Sequence, residues 1–256
     1  MIAAALLVGL MAGPVVTPNL PAGRGESEQK ETERVDRTIP FAPGGTVHLK
    51  NFSGSVRITG TNDGQITIAA VRRATRERLD HIKLDIQPGT SEITINANQR
   101  DKGWSERNNN VVETELDIKV PADTRLDVDA FSSAVRISGV RGKQRVHTFS
   151  GEIVLRGSTG PLDLESFSGD VDLEVVDATA SPDLEVKTFS GNITAVMPDA
   201  TSGNVRFNSF SGALRSDIPL TLETGGKRSF RARLNDGGGS DIYFKTFSGD
   251  VRIRKN

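Results

Sequence analysis

Cysteine is absent from all 256 residues. That removes disulfides, thiolate metal sites, cysteine nucleophiles and lipid attachment through an N-terminal cysteine together. An excess of positive charge is also missing, with 32 Lys and Arg against 33 Asp and Glu, so nothing in the charge balance draws in nucleic acid through its phosphates. Aromatic residues make up 5% and hydrophobic residues 36% of the chain. This is low for a compact globule and suits a thin, elongated fold in which every residue lies near a surface. Histidine is scarce as well: His48, His81 and His147 are the three possible imidazole bases.

Long apolar runs are lacking. Ile2 to Met11 is a small-apolar stretch interrupted by Gly9 and closed by Gly13-Pro14, and no charged side chain precedes Arg24. A membrane-spanning helix needs about 20 apolar residues, whereas a run of about ten fits the h-region of a signal peptide. The expectation is a signal peptide or N-terminal anchor over residues 1–22, with cleavage near Ala12 or Ala22, although no basic n-region precedes the run. Residues 23–37 are polar and mixed in charge and read as a flexible leader. The folded domain is expected over 38–256.

What the chain does have is a repeat. Phe-Ser-Gly begins at Phe52, Phe149, Phe167, Phe189, Phe210 and Phe247, with the variant Phe131-Ser132-Ser133. Seven of the eleven phenylalanines lie in this tripeptide, at steps of 18, 18, 22, 21 and 37 residues from Phe131 onward. The last step predicts one degenerate copy between Pro219 and Asp236. The gap from Phe52 to Phe131 is filled by strand-like text without the tripeptide.

Aligned on the phenylalanine, apolar residues recur three and usually five places before it, and four and six places after. Leu162, Leu164, Val171 and Leu173 show the pattern around Phe167. Alternation on both sides means two half-buried strands. The inward parity changes between them, so a bend or bulge must lie at the tripeptide. Glycine is read there as the flexible residue, serine as a partner for the turn's amides, and phenylalanine as the large core residue of each corner. A unit this short cannot bury its own face, so the units must stack. The fold expected is all-β: a single-domain β-solenoid, a β-helix-like stack of strand–Phe-Ser-Gly–strand repeats, with an antiparallel meander as its competitor. A short helix is expected within 72–80, and Trp104 on the polar loop 101–110 is read as a lid on the core.

The repeats and the lead-in Ile39-Pro40-Phe41-Ala42-Pro43-Gly44-Gly45-Thr46-Val47 together resemble the bacterial "putative adhesin" domains, also called toastrack domains. The likeness covers 38–256. Many members carry Asn-Gly where this chain has Ser-Gly, and Phe131-Ser132-Ser133 lacks the glycine. The resemblance implies an exported or envelope-associated β-repeat protein of unknown function, and it offers no catalytic residue to carry over.

The search for chemistry finds no catalytic, cofactor-binding or metal-binding residue to name, and no cofactor. The histidines lack companions at triad or metal spacing. Asp163, Glu165, Asp170, Asp172 and Glu174 could serve as an acid–base pair on a glycosidic bond, but they follow the outward positions of two ordinary strands. Asp236-Gly237-Gly238-Gly239-Ser240-Asp241 faintly resembles a calcium-binding β-roll repeat, yet occurs once and reads as a tight turn. Seven equivalent serines argue for corners and against one activated nucleophile.

The function expected is therefore a non-catalytic structural or interaction module, exported to the periplasm, cell surface or medium. Its partner would be an envelope protein or a glycan, with self-association through the solenoid ends as a further possibility. A carbohydrate-active β-helix enzyme using carboxylates near Glu165 to Asp172 is the alternative.

Overall fold

The computed structural model describes residues 30–104, 110–177 and 183–256. The signal or anchor segment 1–22 and the start of the leader lie outside the described residues. The first part of the chain forms β1 (Glu31–Pro40), β2 (Thr46–Thr61), β3 (Gln65–Ala74), helix α1 (Arg76–His81), β4 (Ile82–Gln87), β5 (Glu92–Arg100) and β6 (Glu113–Pro121). The repeat follows as β7 (Arg125–Ser138), β8 (Gln144–Ser150), β9 (Ile153–Ser158), β10 (Leu162–Ser168), β11 (Val171–Val175), β12 (Leu184–Ser190), β13 (Ile193–Met197), β14 (Gly203–Ser211) and β15 (Leu214–Ser216). The chain ends with a hairpin, β16 (Leu220–Gly226) and β17 (Ser229–Leu234), then β18 (Ser240–Ser248) and β19 (Val251–Lys255).

Each unit contributes one strand before its Phe-Ser-Gly and one after. The strands before it pair in parallel, β2–β7–β8–β10–β12–β18–β14, and so do those after it, β2–β7–β9–β11–β13–β19–β15. Parallel pairing in one register, interrupted in β9–β11 between Leu173 and Val175, is the stacked solenoid and excludes the meander. Inward residues of both columns meet in one core, where Leu164, Val171 and Leu173 are fully buried. Each such burial stabilises by about 1.5–3 kcal/mol.

The order in space differs from the order in sequence. The last unit, β18–β19, lies between β12–β13 and β14–β15. The unit at the C-terminus is therefore internal to the stack. The text between Pro219 and Asp236 is not a degenerate corner: β16 and β17 form an antiparallel hairpin laid against β14. Antiparallel strands also close the other end, where β3 joins β6 and β1 joins β3, while β4 joins β5. β3, β5 and β6 carry the same alternation as the stacking strands, so the sequence pattern could not separate them, whereas β1 and β16 lack a regular buried face.

The leader expected over 23–37 is corrected in its described part. Residues 31–37 belong to β1, paired with β3 from Glu31↔Ala74 to Pro40↔Gln65. Val35 and Ile39 pack on the core from this strand, and Glu33 bonds the buried guanidinium of Arg72, which also donates to the Ile82 carbonyl. An edge strand needs only one apolar face, and its charges discourage further pairing at the open edge. Arg72 thus continues β3, and the helix begins later than the sequence suggests, at Arg76 after the N-cap Thr75. Trp104 does act as a lid: its ring stacks on His81 at 5.2 Å and packs over Ala74, Leu79, Ile82 and Val112.

Candidate interaction surface

The phenylalanines of the repeat are not core residues. They stand on the outside of every corner, with Phe131, Phe149, Phe167, Phe189, Phe210 and Phe247 each 44–60% exposed. The alternation explains why. Inward positions before the corner are odd offsets from Phe, so the residue just before it points in and Phe itself points out. The inward places belong to Thr148, Ser166, Thr188 and Thr246, all at most 5% exposed.

These hydroxyls hold the bend. Thr148, Thr188 and Thr246 donate to the carbonyls of Gly151, Gly191 and Gly249 at 3.2, 3.1 and 2.8 Å. Thr148 also bonds Ser166 on the next rung at 3.1 Å. The serine of the tripeptide, expected to bond the turn, is instead exposed at Ser150, Ser168, Ser190, Ser211 and Ser248.

The glycine has a different reason from the one expected. A Cβ at Gly169 would lie 2.3 Å from the Gly151 carbonyl oxygen, and one at Gly191 would lie 2.2 Å from that of Gly169. Close approach between rungs, more than turn conformation, demands the missing side chain. At the glycine-free corner β7 runs unbroken, and the Ser133 hydroxyl accepts from Asn51 at 3.1 Å.

Because neighbouring strands lie about 4.8 Å apart, one ring per rung produces a stack. Phe52, Phe131, Phe149, Phe167, Phe189, Phe247 and Phe210 follow one another at centroid distances of 4.6–4.9 Å and interplanar angles of 2–9°. The ladder runs about 29 Å. Its interior rings have both faces covered and present only their edges. At one end Arg228 lies over Phe210, 5.8 Å from the ring centre.

Two open grooves of about 650 and 790 Å³ line the ladder. Their walls carry the side chains two places before each phenylalanine, among them Asp129, His147, Glu165, Lys187, Lys245 and Asn208. Lys187 is held protonated more firmly than an ordinary lysine by its hydrogen bond to Glu185, with Glu165 and Asp163 adding attraction. Along the outer sheet, Arg145 is likewise raised by its hydrogen bond to Asp163 at 3.1 Å.

The acidic group singled out in the sequence is dispersed. Asp163 is engaged with Arg145, Asp170 accepts from the Asn192 backbone at 2.7 Å, and Glu174 stands 3.9 Å from Arg156. Both grooves that take Glu165 lack Asp170 and Asp172. His48 sits between Asp127 at 3.1 Å and Glu92 at 3.3 Å, and His147 lies 3.7 Å from Asp129. Among the described residues no group of His, Asp and Glu could hold a metal ion. The glycine run at 237–239 is a turn with three successive left-handed residues at φ 73°, 71° and 70°.

A family model, Toastrack DUF4097, matches residues 45–254. The chain belongs to this family. It is similar to a "putative cell adhesion protein" from Clostridium sporogenes, at 14% identity over 89% of this chain and 99% of that one, with a TM-score of 0.49. A "putative adhesin" from Bacteroides fragilis is similar at 11% identity over 88% and 97%, with a TM-score of 0.36. No curated protein is similar to this chain in sequence.

Proposed function

We propose that this Toastrack protein is a non-catalytic, adhesin-like interaction module, exported to the bacterial envelope, that meets its partner through the aromatic ladder. The observation that carries this reading is the exposure of six nearly parallel rings along one line of a rigid stack. A contiguous apolar strip of this length is costly to leave in water and marks a contact surface. Export is supported by the apolar run before Gly13-Pro14. Among the described residues no helix is long and apolar enough to cross a membrane.

The ladder favours a protein over a glycan. Sugars stack on open aromatic faces, and here the interior faces are occupied by neighbouring rings. The test is retention of the purified chain on envelope proteins, peptidoglycan and glycan arrays, with released sugar assayed in the same samples. Retention on protein without sugar release, lost in Phe149→Ser/Phe167→Ser, is the expected result. Sugar release abolished by Glu165→Gln or Asp172→Asn would overturn the reading in favour of a glycosidase.

A further inference from the structure

We infer that the ladder's occupant is the ladder of a second copy of this chain, packed antiparallel across a two-fold axis between Phe167 and Phe189. The inference rests on reading the ladder as a contact surface and names what covers it. Its first support is period. Ring edges spaced at 4.6–4.9 Å make a row of ridges and grooves. Residues of an extended peptide repeat at about 3.3 Å, or about 6.6 Å on one face, so they fall out of step within two or three rings. A second comb with the same spacing stays in register along its whole length.

The second support is charge. In spatial order the groove wall reads Lys50, Asp129, His147, Glu165, Lys187, Lys245 and Asn208. The two residues at its centre, Glu165 and Lys187, are opposite in charge, so the row complements its own reverse there. An axis midway between Phe167 and Phe189 sets Glu165 against the partner's Lys187, and the reciprocal contact repeats it. Within the chain Lys187 already meets Glu185 at 2.6 Å and pairs in register with Glu165, so the centre becomes a cluster of alternating charges. Asp129 falls opposite the end where Arg228 covers Phe210. His147 faces the partner's Lys245.

The third support is which rings the axis pairs. It sets Phe131 on the partner's Phe210, Phe149 on the partner's Phe247 and Phe167 on the partner's Phe189. Those are the six rings most open to solvent, and the half-buried Phe52 is left outside. The strip is about 24 Å long, narrower than a standard interface of about 800 Å² per partner, so the dimer is a weak one.

Sedimentation equilibrium of the purified chain from about 1 μM to about 1 mM tests this. A monomer–dimer equilibrium is expected. Glu165→Lys and Lys187→Glu should each weaken it at least about tenfold, and the double reversal Glu165→Lys/Lys187→Glu should restore it. Phe167→Ser/Phe189→Ser should leave a monomer whose circular dichroism is native. A chain monomeric throughout, or a dimer indifferent to these changes, overturns the proposal. If a monomeric chain still binds an envelope protein through Phe167, only self-association falls; if it binds nothing, the interaction reading falls with it.

Discussion

Two columns meet at every corner, one residue apart. The inner one is buried: Thr148, Thr188 and Thr246 spend their hydroxyls on the backbone of the bend, and Ser166 accepts from Thr148. The outer one is the ladder of phenylalanines, larger and more apolar, yet open to water. Polar residues inside and aromatic residues outside invert the usual arrangement. The inversion shows that the corner's stability comes from hydrogen bonds and close backbone packing. The rings are free for another use.

Several substitutions can sharpen or break this contrast. The largest effect belongs to the backbone that both columns share. Gly169→Val would drive a side chain into the Gly151 carbonyl and should cost more than about 4 kcal/mol, or prevent folding. Asp170→Ala beside it should lose about 1 kcal/mol, for its bond to Asn192. Chemical denaturation of the pair measures the difference, and equal tolerance would remove the close-approach argument.

On a single strand, Leu164→Ala should cost about 2–5 kcal/mol as a buried deletion. Phe167→Ala should cost only about 1–2 kcal/mol, for two exposed stacking contacts. The reverse order would return phenylalanine to the core. Thr188→Val tests the inner column: losing the part-buried bond to Gly191 should cost about 1 kcal/mol.

The smallest effect is in pH. Arg73, by hydrogen bond and then by charge, holds the Glu115 carboxyl below its ordinary range, and Arg141 does the same to Asp123. A depressed carboxylate stabilises the fold above its unfolded pKa and loses that contribution as pH falls through the folded value. Both ion pairs lie at the surface, so solvent screening keeps their contribution to stability small. Thermal melts on the acid side of pH 4 should show Arg73→Gln and wild type converging.

Much of this architecture is legible in the sequence. The tripeptide, its spacing and the parity change identify a stack of bent two-strand units. The parity rule also placed the rings: Leu162 and Leu164 point inward, so Ser166 does too and Phe167 cannot. Phenylalanine's hydrophobicity points to the core, but the alternation of the same residues turns it outward. Other features left no signal. β18–β19 carries the same alternation as its neighbours, so nothing in it marks insertion between β12–β13 and β14–β15. The charges of residues 31–37 hid an edge strand whose apolar contribution is Val35 and Ile39. The ladder itself needs the rung spacing, which periodicity along the chain does not contain.

The most direct test of the central claim is the solvent exposure of the rings. Fluorine NMR of the chain labelled with 4-fluorophenylalanine, with a soluble paramagnetic agent and at concentrations that keep it monomeric, reads all eleven phenylalanines at once. The account predicts strong broadening for Phe131, Phe149, Phe167, Phe189, Phe210 and Phe247, while Phe41, Phe207 and Phe244 stay sharp. Ladder rings as protected as Phe244 would contradict it.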